Sequence, residues 1–549
     1  MIQKLLHFQT KTITQGALIV GFFSLLSRIL GLVRDGLISG SFGTTSQADI
    51  YFAAFKIPDF IYNFLIAGGL SIVFLPILSE YMAKGKEEAW KMINNTINVI
   101  SIVLCIFAIV CFIFTPQLLK IIVPGFSQAM LNESVSLTRL LLLSPIFFGI
   151  SSLVSSTLMY FNRFLSYSLA PVIYNICIIL GIKFLAPSFG IMGVGIGVVV
   201  GALSHLLIQM PAFIHCGYAF QPILDFKAQS IRDFFVLALP RTVAVAGQQI
   251  NDLVTTGIAS TLTTGSIAVF NYANNIQYMP IGFFAVPFSI AAFPMLSKFW
   301  AQSQSKEFFE NLSATIKQVI FLVLPTAMAI FVLRAQIVRI ILGSLGKGFS
   351  WSDTRITAAC VGMFSVDLLG AALIPLLARA FFAIKNTKTP TIISLISIGV
   401  NISLSFLFVN ILNQANGFRT FLANFFDIGD MANISVIGLP LAYSISFIFQ
   451  ALFLLWFLYC EIGDFGMKNI FKLFIKTVLA SALSALSIYG GLIFFARFFN
   501  NTTVLGLIGQ TFFSGILGVL VYILLAYVFK MKELEKLLSL IPIFKKNGN

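Results

Sequence analysis

Charged residues are scarce in this 549-residue sequence, making up only 10% of it, whereas an average soluble domain is about 25% charged. Histidine occurs three times, and the six cysteines show no C-x-x-C spacing, so neither a metal-ligand cluster nor a disulfide framework is indicated. The sequence also lacks a G-x-x-x-x-G-K-[ST] nucleotide-binding loop and a Ser/His/Asp set. These absences exclude a soluble enzyme and built-in ATP hydrolysis, and we expect neither covalent chemistry nor a cofactor.

Apolar residues dominate the sequence instead. Hydrophobic residues make up 58% of it, and the mean hydropathy is +0.96. A membrane-spanning helix needs about 20 mostly apolar residues, whereas the alternating strands of a membrane barrel give a much weaker apolar signal. We therefore predict an all-α polytopic membrane protein. Its apolar runs predict about fourteen transmembrane helices, at residues 13–39, 47–80, 92–115, 136–160, 168–186, 191–216, 231–262, 267–299, 312–334, 356–383, 390–410, 433–460, 470–497 and 504–529.

The balance of charge predicts the orientation of these helices. The formal net charge is +15, from 35 Lys and Arg against 20 Asp and Glu. In a membrane protein, excess Lys and Arg mark the cytoplasmic loops, so we expect no nucleic-acid partner. The loops after even-numbered helices hold most of the Lys and Arg, and an even number of helices places both ends on one side. Both termini are therefore predicted to be cytoplasmic.

An internal repeat predicts how the helices are grouped. The segment PILSEYMAKGKEEAW from Pro76 resembles PMLSKFWAQSQSKEF from Pro294, and Pro171 corresponds to Pro390, both at offsets close to 219 residues. Parallel repeats of six helices build two lobes around a central cavity, which is a transporter architecture. We predict an N-lobe at 1–216, a C-lobe at 217–460, an additional helix pair at 461–529 and a basic cytoplasmic tail at 530–549.

Charged residues inside the predicted helices are the candidates for a binding site. A charge at bilayer depth costs about 2.5–3.5 kcal/mol on insertion scales, so it normally faces a cavity or a partner. Fixed cations in a cavity suit a phosphate or diphosphate, which arginine binds in bidentate fashion. The intramembrane cations are Arg28, Arg34, Lys56, Arg241 and Arg379, and the acids at comparable depth are Asp35, Asp49, Asp59, Asp252 and Asp367.

Helices 1 and 2 are predicted to present a net positive polar wall that binds substrate. The wall consists of Arg28, Arg34, Asp35, Asp49, Lys56 and Asn63, the last three at i, i+7 and i+14. Asp35, Asp49 and Lys56 are candidate gating or ion-pair residues. Alternatively, these charges hold the lobe together, and Arg34 and Asp35 snorkel to the interface. Arg28 has apolar residues on both sides, so a purely structural role is harder to assign to it.

Polar side chains on later helices extend the candidate site. Gln248 on helix 7, with Asn274 and Asn275 on helix 8, can bind sugar hydroxyls or peptide amides, or can join helices to each other. Arg379 lies near the cytoplasmic end of helix 10, where a cavity role and a loop-anchoring role are both open. Asp252 and Asn401 could supply oxygen ligands to a cation.

Two motifs resemble a known family. LSRILGLVRDGLISGSFGTTSQADIYFAAFKIPDFI followed by FLPILSEY, and LARAFFAIKNTKTP at 377–390, resemble the MurJ (MviN) lipid II flippase family of the multidrug/oligosaccharidyl-lipid/polysaccharide exporter superfamily. The resemblance implies a MATE-like fold in the bacterial inner membrane. It also implies a role in peptidoglycan synthesis, in which lipid II crosses to the outer leaflet by alternating access. Membrane lipids and the cell-wall synthesis machinery are the implied further partners.

The resemblance also assigns roles to residues. It implies that Arg28, Arg34 and Asp49 contact or gate the lipid diphosphate, that helices 13 and 14 line a lipid-tail groove, and that Asp252 and Asn401 are candidate sodium ligands. The sequence departs from the family at three places. Tyr62 and Asn63 replace an arginine pair that many members carry on helix 2, Asn275 replaces an arginine on helix 8, and Asn386 stands where the helix 10–11 motif often carries an acid. A flippase for another polyprenyl-diphosphate-linked glycan therefore stays an alternative, as does a MATE-like cation or drug antiporter.

Overall fold

The computed structural model describes residues 13–64, 71–501 and 503–538. All the regular secondary structure within these ranges is helical, which confirms the all-α prediction. Eleven helical segments of the described chain are long and apolar enough to cross a membrane. They coincide with predicted helices 3 to 6 and 8 to 14, so the total of fourteen stays a prediction.

The first compact unit comprises Met1–Ala268 with Leu345–Phe349. Its helices are α1 (Ile13–Phe42), α2 (Ser46–Ala54), α3 (Lys56–Ile61), α4 (Ser71–Lys84), α5 (Lys86–Ile122), α6 (Gln128–Leu141), α7 (Leu143–Tyr160), α8 (Phe164–Leu180), α9 (Ala186–Phe189), α10 (Ile191–Leu207), α11 (Met210–His215) and α12 (Gln229–Ser260). The helix α8 packs between α1 and α10, while α7 contacts α4, α5 and α10.

The second compact unit comprises Val269–Ser344 with Ser350–Asn549. The remaining helices are α13 (Ser266–Pro280), which begins in the first unit, α14 (Val286–Ala301), α15 (Ser305–Ile341), α16 (Trp351–Ala383), α17 (Lys388–Asn413), α18 (Gly417–Phe426), α19 (Gly438–Ile462), α20 (Met467–Phe495), α21 (Val504–Val528) and α22 (Lys532–Leu538). The helix α16 is the most buried of the eleven candidate spans and packs against α14, α15 and α19.

The sequence repeat has a counterpart in the helices themselves. The helices α5 and α15 are both 37 residues long, and their first residues, Lys86 and Ser305, are 219 positions apart. A π-helical turn occupies residues 62–64, and a second one begins at Ile281, again 219 positions later. These two positions therefore carry the same local departure from α-helical geometry, whereas the residues 219 positions after the π turn Gly181–Leu185 are α-helical and belong to α17.

The connection between predicted helices 6 and 7 is bound to α5. The Asn94 and Asn95 amide nitrogens donate to the carbonyl oxygens of Ala219 (3.0 Å) and Asp225 (2.9 Å). The same two side chains accept hydrogen bonds from backbone N–H groups of this connection, and Asn98 donates to two further carbonyls. This connection leads into α12, which packs against α4 and α5. The first unit therefore includes a helix that the division at 216/217 places in the C-lobe.

Glycines on α10 allow this helix to approach α8 and the π turn Gly181–Leu185. A Cβ added at Gly193 would lie 2.4 Å from the carbonyl carbon of Leu185, and one added at Gly197 would lie 3.0 Å from Gly181 Cα. Gly201, four residues later, contacts Tyr174 in the same manner. Small residues at this spacing bring helices together in membranes, where water-driven burial is absent.

The terminal helices α20 and α21 pack against each other and against α15. Tyr522 donates a hydrogen bond to the Phe321 carbonyl oxygen (2.7 Å), which joins α21 to α15 at a buried cluster. The opposite faces of α20 and α21 expose large apolar side chains, including Leu486, Phe512 and Leu524. These exposed faces suit contact with lipid chains.

Gly193→Ala should destabilise the protein, because the added methyl group would overlap backbone atoms of Leu185 rather than a flexible side chain. We expect a loss of about 1–3 kcal/mol in the free energy of unfolding, measured by thermal unfolding of the purified protein in detergent. Gly399→Ala on α17 is the control, since nothing lies within 4 Å of its added Cβ. Equal stability of the two variants would contradict the close packing of α10 against the π turn Gly181–Leu185.

Candidate functional site

Arg34 on α1 is held by its neighbours. Its Nε and Nη2 atoms donate to Asp35 Oδ1 at 3.0 and 2.8 Å, and its Nη1 donates to Asn175 Oδ1 at 3.2 Å. Asn175 in turn donates to Ser27 Oγ at 3.1 Å, so the network joins α8 to α1. The Arg34 side chain is one quarter exposed. Of the three predicted gating residues, Asp35 is therefore the one that forms an ion pair in the described chain.

Arg28 lies on the same helix in a different setting. Its side chain is exposed, and within the described residues it makes no hydrogen bond or ion pair. An unpaired guanidinium keeps all five of its N–H donors available to a ligand. Arg28 is therefore the cation of α1 that is ready to bind an external anion.

Asp49 and Lys56 do not form the predicted ion pair within the described part of the chain. The Asp49 carboxylate is buried and accepts hydrogen bonds from the backbone N–H groups of Gly265 (2.6 Å) and Ala268 (2.9 Å), at the start of α13. A helix N-terminus has unsatisfied N–H groups that favour a carboxylate. Asp49 lies on α2, whereas Lys56 is the first residue of α3. Whether either residue gates transport stays a prediction.

The polar residues of predicted helices 2 and 7 meet within the first unit. Asn63, in the π turn, donates a hydrogen bond to Gln249 Oε1 at 3.3 Å. The neighbouring Gln248 is half-buried and makes no hydrogen bond within the described residues. The side chain of Arg241, on the same helix, lies outside the described part of the structure. Asn63 thus joins two helices, and Gln248 keeps its amide available.

The predicted site residues of the second unit are more dispersed. Asn274 is half-buried and Asn275 exposed on α13. Arg379, near the end of α16, donates a hydrogen bond to Ser289 Oγ on α14. This contact joins α16 to α14, and the cavity and loop-anchoring roles predicted for Arg379 both stay open.

A buried polar cluster in the second unit received no role from the sequence. The Oδ1 atom of Asp367 accepts hydrogen bonds from Gln277 Nε2 (2.8 Å) and Ser444 Oγ (3.2 Å), and Asp367 is fully buried. Its Oδ2 atom has no hydrogen-bond partner within the described residues. In the sequence, Asp367 is the single acid in the apolar run MFSVDLLGAAL, which could have indicated a buried polar site. Its partners lie 90 and 77 positions away, so no local pattern indicates them.

The candidate sodium ligands belong to different units. Asp252 lies on α12 in the first unit, and Asn401 lies on α17 in the second. One turn beyond Asn401, the buried Ser405 Oγ has no hydrogen-bond partner within the described residues. Oxygen donors of this kind fit a hard cation such as sodium. The described residues contain no cluster of three His, Cys, Asp or Glu side chains that could hold a metal ion.

Comparison with known proteins identifies a family for this arrangement. The family model described as "Lipid II flippase MurJ" matches residues 38–509. A Vibrio cholerae protein named "Probable lipid II flippase MurJ" is 28% identical over 414 residues, which cover 73% of this chain and 78% of that protein. The residues matched by the family model include the predicted site residues from Asp49 onward, whereas Arg28, Arg34 and Asp35 precede the matched range.

Solved structures resemble the fold as well. One described as "Lipid II flippase MurJ, inward closed conformation" has a TM-score of 0.74 and 26% identity, covering 94% of this chain and 99% of that one. An inward-facing multidrug resistance transporter of the MATE family has a TM-score of 0.62 at 14% identity, covering 81% and 95%. The second likeness concerns the fold alone, and it supports the predicted MATE-like architecture.

Asp49→Ala and Lys56→Ala, made singly and together, test whether these residues act as a pair. We expect Asp49→Ala to lower the free energy of unfolding by about 1–3 kcal/mol, because two backbone N–H groups lose their acceptor. Lys56→Ala should change little, and the two effects should add within about 0.5 kcal/mol in thermal unfolding of the purified variants. A larger coupling energy would show that the ion pair forms.

Proposed function

This chain belongs to the lipid II flippase MurJ family, and on that premise we propose that it moves lipid II from the cytoplasmic to the outer leaflet of the bacterial inner membrane. The family match over residues 38–509 carries the proposal. As a member of a transporter family, the protein is not an enzyme. Its product is the same molecule on the other side of the membrane, available for peptidoglycan synthesis.

Arg28 is the residue that first contacts the diphosphate in this proposal. A diphosphate brings several negative charges into a region of low dielectric constant, where an unpaired guanidinium gives the strongest bidentate contact. Support comes from its exposure and from the absence of any ion pair or hydrogen bond to it in the described chain. Arg34 is committed to Asp35 and Asn175, so it contributes positive potential and positions the helix rather than making the main contact.

The remaining parts of the mechanism are also proposals. The headgroup enters from the cytoplasmic side, the polyprenyl tail stays against the exposed apolar faces of α20 and α21, and alternating access releases the headgroup outside. Both termini are placed in the cytoplasm, with cell-wall synthesis proteins as partners. Sodium is the proposed coupling ion, and Asp252 in the first unit and Asn401 with Ser405 in the second unit are candidate oxygen donors to it.

Transport of another polyprenyl-diphosphate-linked glycan is the second candidate. Tyr62 and Asn63 favour it, since two uncharged residues occupy helix 2 where the family resemblance predicts arginines. A substrate whose diphosphate is bound by fewer cations would need more contacts between its glycan and the protein. The complementation experiment below separates the two candidates.

The chain should rescue a bacterial strain depleted of its own lipid II flippase, and Arg28→Ala should not. Loss of a charge-assisted contact worth about 1.5–3 kcal/mol corresponds to roughly a 10- to 100-fold slower step. Growth and lipid II flipping are measured at matched membrane levels of each variant. Arg497→Ala is the control, because Arg497 is exposed in the segment after α20, far along the chain from α1.

The possible outcomes have distinct meanings. Full rescue by well-inserted Arg28→Ala would remove Arg28 from the mechanism and leave the lipid II assignment intact. Failure of the well-inserted wild-type protein would argue against lipid II and favour the second candidate. Arg28→Lys should rescue only in part, because a lysine keeps the charge but loses the bidentate geometry.

A further inference from the structure

A cavity of about 430 Å³ lies within the first unit, between α3, α7, α8 and α10. The residues that matter for its chemistry are Asp59, Tyr62, Phe148, Ser155, Tyr174 and His205. The volume lies in the range of small-molecule sites, which combine an apolar lining with a few placed polar groups. No sequence prediction included this cavity, and the proposed role of Arg28 does not use it.

Aromatic rings form one side of the cavity. The Phe148 ring meets Tyr62, Tyr174 and His205 in edge-to-face contacts, with centroid distances of 5.6, 5.2 and 5.3 Å. His205 is fixed in turn by Ser151, whose Oγ lies 2.7 Å from the His205 Nδ1 atom. Rings held in this way cannot easily rotate, so they offer a preformed apolar surface to a flat ligand face.

Polar groups form another side of the cavity. Asp59 is exposed, and within the described residues its carboxylate makes no hydrogen bond or ion pair, although Lys56, Arg34 and Asp252 lie within electrostatic range. Ser155 donates its hydroxyl hydrogen to Gln209 Oε1 at 2.7 Å, so its own oxygen still accepts hydrogen bonds. The free acceptors of this cavity therefore call for a ligand that donates hydrogen bonds.

We propose that this cavity binds a sugar ring of the lipid-linked headgroup, an inference that rests on the proposed function. A sugar has an apolar C–H face that stacks on aromatic rings and hydroxyl groups that donate to a carboxylate and to serine. The ring would lie against Tyr62 and Tyr174, with its hydroxyls on Asp59 and Ser155. Tyr62 thus supplies glycan contact at a position where the family resemblance predicts arginine.

Other occupants fit the cavity less well. A diphosphate would place its charge beside the Asp59 carboxylate, and this repulsion opposes the attraction of Lys56 and Arg34, which lie within electrostatic range. A lipid chain would fill the aromatic side but would leave the Asp59 carboxylate without solvation, at a cost of several kcal/mol. A neutral, hydroxyl-rich ring satisfies both sides at once.

Binding to two lipids tests the proposal. The purified protein in lipid nanodiscs is titrated with lipid II and with a polyprenyl diphosphate that carries no sugar. Tyr62→Ala and Asp59→Asn should each raise the Kd for lipid II by about tenfold and leave the Kd for the sugar-free lipid unchanged. The expected factor is that of one lost stacking or hydrogen-bond contact, about 1.4 kcal/mol.

The control variant is Tyr160→Ala. Tyr160 and Tyr62 are both 36% exposed, and each makes an edge-to-face contact with a phenylalanine, but Tyr160 lies at the end of α7 away from the cavity residues. Tyr160→Ala should bind both lipids as the wild type does. Asp59→Asn keeps the shape of the side chain, so it provides the decisive comparison if Tyr62→Ala folds poorly.

The outcomes separate this proposal from the proposed function. If the wild type binds lipid II and the variants bind it equally well, or lose both lipids equally, the sugar site is wrong and lipid II transport stands. If the wild type does not bind lipid II, both proposals are overturned. A selective loss for lipid II alone supports the sugar site.

Discussion

The low dielectric constant of the bilayer is the constraint on which the polar part of this structure depends. A buried carboxylate, guanidinium or amide has no water to satisfy it there, so the protein must supply the partner. Arg34 takes Asp35 and Asn175, and Asp49 takes two backbone N–H groups. Because of this constraint, a polar group without a partner indicates a binding site. The free-energy cost of leaving such a group unpaired is acceptable only where a ligand or a proton binds to it.

Arg28 and Asp59 are exposed charged groups of the first unit that make no hydrogen bond or ion pair within the described residues, and they have opposite charges. A cation without a partner suits the diphosphate of a lipid-linked glycan, whereas an anion without a partner suits donors such as sugar hydroxyls. A headgroup that carries both features can be recognised at two chemically different places. Specificity then depends on the glycan as well as on the charge, which suits a chain with no arginine on predicted helix 2.

The sequence predicted the fold class well because hydropathy reports directly on lipid exposure, and the motifs around Arg28 indicated the family. It predicted the partners of charged residues less well. Arg34 and Asp35 are adjacent, so the sequence itself indicates that they can pair. Asn175, the other partner of Arg34, lies 141 positions away, and no local pattern indicates it. Asp49 takes partners 216 and 219 positions away, and nothing in a stripe at i, i+7 and i+14 indicates them. The cavity beside Tyr62 depends on four separate helices, which no local pattern encodes.

The asparagine contacts on α5 restrict where this chain can be truncated or interrupted by an insertion. Asn94, Asn95 and Asn98 hold a stretch of backbone that composition alone would class as a linker. A fragment ending at residue 216 would lose α12, uncover the surfaces of α4 and α5 against which it packs, and remove the Asp225 carbonyl to which the buried Asn95 amide donates. Residues 217–228 are thus a poor site for an inserted tag or a split.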